Sequence, residues 1–272
     1  MTHVRRKIVR VTDGCTEARE DWVSREQPVT IQVNGEQYIT LLATAENLKE
    51  LAVGFAFNEG LISSADDIAG VRVAEDHGSV EMEIASKVDT AMRLAKTRVM
   101  TTGCGKGSSY FRAIDSLTIK PVPRGIDMAY STVNQLMIEF NKSASHKVEV
   151  GAVHASALAR ETMEVFREDV ARHNSVDKLV GHIILNNKKG CDYALLTSGR
   201  ITSELILKAV RIGISIVVSR SAPSELAARL GQQLGVTVVG FARGRKFNIY
   251  SHPYRITGRE NTKADAILED DK

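Results

Sequence analysis

Cysteine is scarce in this chain: only Cys15, Cys104 and Cys191 occur among 272 residues. They lie far apart in the sequence, their number is odd, and no two of them form a CxxC pair. A disulfide framework or a cysteine zinc site is therefore not expected. In a reducing compartment each cysteine is either an inert structural residue or a working thiol.

Long apolar runs and an excess of one charge are also absent. No stretch approaches the roughly 18 apolar residues of a membrane span, and MTHVRRKIVR at the start is not followed by the apolar segment of a secretion signal. We therefore expect a cytoplasmic protein with no membrane partner. The net charge of +3, from 36 basic and 33 acidic residues, gives no reason to expect nucleic-acid binding and restricts any role of positive charge to local clusters.

The first half of the chain is rich in strand patterns. Two alternating runs surround Asn34-Gly35 in VTIQVNGEQYITLLA, which is the strongest short signal for a hairpin. ENLKELAVGFAFNEGLI predicts a helix, and GVRVAEDHGSVEMEIAS predicts a second hairpin that turns near residues 76–78. IKPVPRGIDM, which contains two of the five prolines, predicts a linker.

The second half alternates strands and helices. YALLTS, ISIVVS and VTVVGFA are typical of strands, whereas ITSELILKAVRIG and APSELAARLGQQLG are typical of helices, the latter with Ser221 as its N-terminal cap. This order predicts a parallel or mixed sheet with helices on its faces. KFNIYS predicts a final strand, and the charged residues after Gly258 predict a loose tail.

Cys104 stands in the segment RVMTTGCGKGSSYFR, whose core from Thr101 to Ser109 has no other apolar side chain. The reactive form of cysteine is the thiolate, which nearby cations and backbone N–H groups favour. Lys106 is two residues away, and the surrounding glycines let the backbone approach closely. Two interpretations remain open: a working thiol, or a loop cysteine without a role.

A second stretch, REDVARHNSVDKLVG, carries carboxylates and a histidine at helical spacing. On a helix, Asp169, His173 and Asp177 would share one face. A carboxylate one turn from a histidine could fix the tautomer of the ring or raise its pKa. A solvated charged stripe is the alternative. His154, in small apolar surroundings, is taken alone as a satisfied interior histidine.

A third stretch, GFARGRKFNIY, gathers cations in a turn between two strands. Arg243, Arg245 and Lys246 surround Gly244, and arginine is suited to bidentate contact with phosphate. A phosphate cradle and a solvated hairpin turn both fit this pattern. Metal sites are poorly supported, because HAS at 154–156 lacks the glutamate of the zinc deaminase HxE signature and no PCxxC follows.

Taken together, these stretches resemble the FdhD family, the formate dehydrogenase accessory proteins that act as sulfur carriers. ELAVGFAFNEGLI, TTGCG, GAVHASAL, EDVARHNSVDKLVG, SGRITSELILKA and GFARGRKFNIYSHP follow the family's order over nearly the whole chain. The resemblance implies an α/β fold. A cytidine-deaminase-like three-layer sandwich domain without zinc would span 121–258. A smaller α+β domain over 1–120, ending in the Cys104 loop, would precede it, and a charged tail over 259–272 would follow.

The resemblance also implies a sulfurtransferase that acts through a cysteine persulfide. Such proteins take sulfur from a cysteine desulfurase and pass it to the cofactor Mo-bis(molybdopterin guanine dinucleotide), which is then inserted into formate dehydrogenase. The family's persulfide cysteine maps onto Cys104, and its cofactor-binding segment maps onto Phe241, Ala242, Arg243, Gly244, Arg245 and Lys246. Lys106, His154, Asp169, His173 and Asp177 are retained as candidate supporting residues. A homodimer is implied, the cofactor is bound as cargo, GDP-like nucleotides should act as partial mimics, and no protein-ligated metal is expected.

Two positions depart from the family's pattern. Gly107 stands where many members have a second cysteine, and Ala171 stands where many have glycine. A single persulfide on Cys104 suffices chemically for a sulfur carrier. The rival readings are a nucleotide-processing enzyme of deaminase ancestry, disfavoured by the missing metal ligands, and a cofactor- or nucleotide-binding chaperone in which Cys104 has no role.

Overall fold

The computed structural model describes residues 3–76, 78–85, 120–147 and 152–258. Cys104 and Lys106 lie outside these ranges, as does the tail predicted after Gly258. Among the described residues, no helix combines the length and apolarity that crossing a membrane requires.

The described residues form five α-helices and fourteen strands. The helices are α1 (Leu48–Asn58), α2 (Tyr130–Lys147), α3 (Arg172–Leu185), α4 (Ser203–Ile212) and α5 (Glu225–Leu234). The strands are β1 (His3–Thr12), β2 (Cys15–Ser24), β3 (Gln27–Val33), β4 (Glu36–Ala43), β5 (Ile68–Val73), β6 (Ser79–Ile84), β7 (Met128–Ala129), β8 (His154–Ala159), β9 (Met163–Asp169), β10 (Ala194–Thr197), β11 (Ile216–Ser219), β12 (Thr237–Arg243), β13 (Lys246–Ser251) and β14 (Ile256–Thr257). Short 3₁₀ turns occur at Ala65–Asp67, Gly190–Asp192 and Pro253–Arg255.

The chain begins with a hairpin that the sequence patterns did not single out. Strands β1 and β2 pair antiparallel around Asp13 and Gly14, whose φ angles are 50° and 83°. Positive φ at both central residues is what a type I′ turn requires, and Asp-Gly is one of the pairs that adopt it. The first hairpin therefore precedes the one predicted at Asn34-Gly35.

Both predicted hairpins of the first half are confirmed and combine into one sheet. Strands β3 and β4 turn at Asn34 and Gly35, and β5 pairs antiparallel with β6. The strand order is β4-β3-β6-β5, with β3 and β6 parallel. One face of β3 is fully buried through Val29, Ile31 and Val33, in the same apolar cluster as α1.

The second half forms the predicted mixed sheet. Its strand order is β13-β12-β11-β10-β8-β9. The three central strands β10, β11 and β12 are parallel, and β8, β9 and β13 are added antiparallel. The short strands β7 and β14 pair separately.

Helices cover both faces of the six-stranded sheet, as the alternation of elements predicts. Alternate strand residues enter two apolar clusters: one contains Leu195 and Val217 with residues of α3, α4 and α5, and the other contains Leu196 and Val218 with residues of α2. Helix α1 packs on the outside of α3. There, Gly54 and Gly181 are required because a Cβ atom on either would overlap the opposite helix's backbone.

The predicted N-terminal cap of α5 is wrong by three residues. The Oγ atom of Ser224, not Ser221, accepts the N-terminal hydrogen bond, from the Ala227 N–H at 3.2 Å. Pro223 lies before the helix, where it forms a parallel bridge with Ile201 after β10. The predicted end of α4 at Gly213 is confirmed, with φ of 88°.

The prediction that Asp169, His173 and Asp177 share one face of a helix is wrong for Asp169. Asp169 is the last residue of β9, which pairs it with His154 of β8, and α3 begins only at Arg172. A spacing of four residues cannot distinguish a continuous helix from a strand that ends just before one. His173 and Asp177 do lie one turn apart on α3.

In the segment predicted as a linker, residues 120–127 form no helix or strand but are packed at Val122, and Met128 begins β7. The Val122 N–H donates to the Leu234 carbonyl at 2.9 Å, and the Val122 side chain is buried in the larger apolar cluster. That cluster contains residues from both halves of the chain. The division into domains at residue 120 stays a prediction.

Candidate functional site

The three parallel strands end on one edge of the six-stranded sheet, which we call the carboxyl edge. Strand β8 runs antiparallel to β10 and so begins here at His154, and β9 ends here at Asp169. The β12–β13 turn at 243–246 lies on the same edge. Open α/β sheets bind ligands outside the carboxyl ends of their parallel strands. The topology therefore brings most of the described candidate residues to the expected position.

The turn that joins β12 to β13 is irregular and exposes cations. Phe241 has a φ of 53°, which is uncommon for a bulky residue, and its side chain is 42% exposed. Gly244 has a φ of 63° in the two-residue turn, where a side chain would be strained. Arg243 and Arg245 are exposed, as is Lys246, and no described carboxylate forms an ion pair with them. The turn is thus locally positive.

The loop that follows β11 fixes this turn in place. The Arg243 Nε atom donates to the Arg220 carbonyl at 3.0 Å, and the Phe241 N–H donates to the Ser221 carbonyl at 3.0 Å. A Cβ atom on Gly240 would lie 2.8 Å from Pro223 Cδ, so only glycine permits this close approach. Of the six residues mapped by the resemblance, Ala242 alone has a buried side chain, so its contribution to binding could come only from its backbone.

His154 lies further along the carboxyl edge, where it and Arg172 approach Gly199. Its Nδ1 atom lies 3.6 Å from the position of a Cβ atom built on Gly199, and the Arg172 Cβ atom lies 3.4 Å from it. Burial, followed by the charges of Arg172 and Arg220, lowers the pKa of His154, and Asp169 opposes this. The ring is half-buried rather than interior, and it makes no hydrogen bond with any described residue.

Asp169 is fully buried and fully satisfied. Its Oδ2 atom accepts from Lys178 Nζ at 2.7 Å and from the Thr44 N–H and hydroxyl at 3.2 and 3.1 Å. Its Oδ1 atom accepts from the Ala171 N–H at 3.0 Å and from Asn174 Nδ2 at 2.9 Å. These five donors connect the carboxylate at the end of β9 to α3 and to Thr44, the residue after β4.

A polar chain leads from His173 into the interior. His173 Nδ1 lies 3.3 Å from Glu204 Oε1, which lies 3.7 Å from Lys208 Nζ. Lys208 Nζ donates to both oxygens of Asp177 at 2.7 and 2.9 Å, and Asn58 Nδ2 donates to Asp177 Oδ1 at 2.6 Å. Helices α1, α3 and α4 are thereby connected through one network.

This network keeps His173 neutral. Burial, followed by the charge of Lys208, lowers the pKa of His173 to about 4, although Glu204 opposes the shift. Burial alone would lower the pKa of Lys208, but the carboxylates of Asp177 and Glu204 outweigh burial and raise it. Because the Glu204 carboxylate lies 3.3 Å from Nδ1, it favours the neutral tautomer that carries its proton on Nδ1, which leaves Nε2 as an acceptor.

Sequence reasoning thus found part of the site and missed part of it. His154, His173 and the 241–246 turn do lie on one edge, whereas Asp169 and Asp177 lie beneath it in buried ion pairs. The missed residues are Arg172, Gly199, Glu204, Lys208 and Arg220. Two of these residues could have been found from their place in the sequence. Gly199, in SGR, and Arg220 directly follow the parallel strands β10 and β11, and ligands bind at the carboxyl ends of such strands. Cys104 and Lys106 lie outside the described residues.

The fold and this edge define an α/β protein with a basic site at its strand ends. A model of the FdhD/NarQ family matches residues 24–257. The chain therefore belongs to the FdhD/NarQ family, and the resemblance recognised in the sequence is confirmed.

Individual relatives agree with this assignment. The sulfur carrier protein FdhD of Bacillus licheniformis is 36% identical over 92% of this chain and 96% of its own length. The protein of the same name from Halalkalibacterium halodurans is 37% identical over 92% of this chain and 94% of its own length. A crystal structure of a candidate formate dehydrogenase accessory protein from Desulfotalea psychrophila superposes with a TM-score of 0.78 at 26% identity, covering 94% of this chain and all of that one.

Proposed function

We propose that this protein is a sulfur carrier that loads a persulfide on Cys104 and passes the sulfur to Mo-bis(molybdopterin guanine dinucleotide) before the cofactor enters formate dehydrogenase. The names of the relatives and of the structural neighbour support a sulfur-carrier role linked to formate dehydrogenase. The observation that carries the cargo-binding part is the 241–246 turn. Its cations have no carboxylate partner among the described residues, and the turn is held firmly on the carboxyl edge.

The loading step is a thiol–persulfide exchange. The Cys104 thiolate attacks the terminal sulfur of a persulfide on the cysteine desulfurase, the S–S bond of that persulfide breaks, and the desulfurase thiolate leaves with the electron pair. Delivery then breaks the new S–S bond and releases the Cys104 thiolate. Transfer of the terminal sulfur as sulfide would need two electrons, which the metal of the cargo, as the substrate, would have to supply.

His173 has a supporting role in this proposal. Its Nε2 atom can accept a hydrogen bond when the ring is neutral, and Glu204 Oε1 lies 3.3 Å from Nδ1. A pKa of about 4 makes the ring a weak base toward a thiol proton, but it keeps a neutral acceptor that can orient a bound group. We therefore retain His173 as a hydrogen-bond acceptor on the carboxyl edge, with Asp177 and Lys208 as residues that position it.

The remaining details belong to the same proposal. A homodimer, a cysteine desulfurase partner and a cytoplasmic location stay predictions. Helices on both faces of β8–β13 support the three-layer assignment, and its relation to the cytidine-deaminase fold also stays a prediction.

The decisive experiment is mass spectrometry after incubation with a desulfurase and cysteine. The peptide that contains Cys104 should gain the mass of one sulfur atom, and Cys104→Ser should abolish this gain while the protein still folds. Cys15→Ser and Cys191→Ser are matched controls, because Cys15 is exposed and Cys191 is half-buried, and both variants should still load sulfur. If Cys104→Ser activates formate dehydrogenase as well as the wild type does, the carrier role is refuted and a cofactor-binding chaperone remains.

A further inference from the structure

One edge of the four-stranded sheet is open. Strand β5 lies at the end of the order β4-β3-β6-β5, and among the described residues it pairs only with β6. Just after β5, the Ala74 N–H donates to the Ser79 carbonyl at 2.9 Å. Because backbone groups alternate in direction along a strand, Arg72 also directs its N–H and carbonyl at β6, whereas Val71 and Val73 direct theirs away from the sheet. These outward groups have no partner within the described ranges and are free to pair with another strand.

The two faces of this edge differ in character. Val71 and Val73 pack against the larger apolar cluster, which contains α1. Side chains alternate between the faces of a strand, so Arg72 points to the opposite face, as does Gly70. The Arg72 side chain is 80% exposed. The edge therefore has one apolar face and one charged face.

The charged face leaves room for a further side chain. A cavity of about 430 Å³ opens along Ala69–Val73. Gly70 has no side chain to fill it, and Glu83 Oε2 is the atom nearest to the position of a Cβ atom built there, at 3.6 Å. Glu83 forms no ion pair with another described residue. Arg72 is paired with Glu81 at 3.7 Å, but such an exposed pair contributes little and leaves the guanidinium able to bind elsewhere.

These features complement a second copy of the same edge. When two β5 strands pair antiparallel about a two-fold axis at Val71, the outward backbone groups of each strand face those of the other. Arg72 then lies opposite Gly70 of the second copy, in a pair without backbone hydrogen bonds, where side chains approach most closely. The guanidinium enters the space over that glycine and meets the Glu83 carboxylate. An axis at Arg72 would instead set two arginines opposite each other, which like charge disfavours.

We propose that the β5 edge is a self-association surface, where β5 of one copy pairs antiparallel with β5 of a second copy and joins the two four-stranded sheets into one. Arg72 of each copy binds Glu83 of the other. The occupant of the edge is therefore this chain itself, selected by charge and by the space over Gly70. The inference rests on the proposed function only for the expectation of a homodimer, and it depends on no step of sulfur transfer.

The test is charge reversal, followed by sedimentation velocity over a concentration series of the full-length protein. Arg72→Glu places carboxylates against each other at both ends of the interface, and Glu83→Arg places cations there. Each variant alone should self-associate about tenfold or more weakly than the wild type. An equal mixture of the two variants has opposite charges at both contacts and should form a heterodimer with near wild-type affinity. Lys142→Glu, at an exposed position of α2, changes the net charge as Arg72→Glu does and should associate as the wild type does.

Hydrogen exchange at single residues tests the backbone pairing in the same samples. The N–H groups of Val71 and Val73 should exchange slowly in the associated wild type and rapidly in Arg72→Glu. The Ala74 N–H, which is bonded within its own sheet, is the internal control and should be protected in both. If the Val71 N–H stays protected in monomeric Arg72→Glu, another segment of the same chain covers the edge, and the proposal is overturned.

Three sedimentation results would also overturn the interface. They are a wild type that stays monomeric up to its solubility limit, single variants that associate like the wild type, and a mixture that associates no better than either variant. Persulfide loading of Cys104, followed by mass spectrometry, is a separate readout. Its failure in the wild type would count against the proposed function and leave this interface standing.

Discussion

His173 should make the stability of this protein depend on pH, and one substitution can isolate the effect. The side chain is 25% exposed and lies beside Glu204, and its pKa is lowered from 6.5 to about 4. Between pH 6.5 and about pH 4, His173 is therefore protonated in the unfolded chain and neutral in the folded chain. Below the unfolded pKa, each fall in pH favours unfolding, so stability is lost as the pH falls through this window.

The magnitude follows from the two pKa values. Between about pH 7.5 and about pH 4.5, the wild type should lose roughly 2–3 kcal/mol through His173 alone. His173→Gln removes the ionisable group while glutamine can still donate to Glu204. The wild type should therefore lose roughly 2–3 kcal/mol more than the variant over this range.

Urea denaturation of both proteins at the two pH values measures this difference. His154 and His252 also have lowered pKa values, but both are present in each protein and their contributions cancel. The amide spectrum of the variant checks that its fold is retained. Equal losses of stability in the two proteins would show that His173 is not held neutral, and its assignment as a neutral hydrogen-bond acceptor would then have no basis.

Two further predictions concern the 241–246 turn. Replacing Arg243 and Arg245 together by alanine should weaken GDP binding, measured by calorimetry, by at least about tenfold. Wild-type binding should weaken as salt rises, and persulfide loading of Cys104 should survive the double substitution. Unchanged GDP affinity would show that the turn is only a solvated hairpin. Phe241→Gly should relieve the strain of a positive φ, worth about 1 kcal/mol, yet lower GDP affinity because an exposed aromatic face is lost. Thermal unfolding and calorimetry on the same sample test both effects, and reduced stability with unchanged affinity would contradict the prediction.

The parts of the fold that could be predicted are those written in short stretches of sequence. Asn34-Gly35 specifies its own turn, and Gly213 specifies the end of α4 by its positive φ. The strand–helix alternation of the second half limits the sheet to a parallel or mixed order. Asp169 could not be placed this way, because it binds the distant residues Thr44 and Lys178 as well as its neighbours in the sequence.

Only some residues of the candidate site could likewise be predicted from the sequence. Arg243 and Arg245 were found because only Gly244 separates them in the sequence and both lie in one turn. Arg220 and Glu204 are far from His173 in the chain, and only the sheet topology and the packing of α4 against α3 bring them near the edge. The role of Cys104 stays a prediction from its polar, glycine-rich surroundings.

The two buried ion pairs of α3 restrict the positions in which this helix can dock against its neighbours. Asp177 and Lys178 are consecutive, so they point in different directions, and each meets its partner on a different neighbour: Lys208 on α4 and Asp169 on β9. If α3 docked after rotating by one residue, both charges would be buried without partners, at a cost of about 3–5 kcal/mol each. Apolar side chains tolerate such alternative dockings far better. We therefore expect these pairs to add little to the free energy of unfolding. Their main effect should be to disfavour alternative positions of α3.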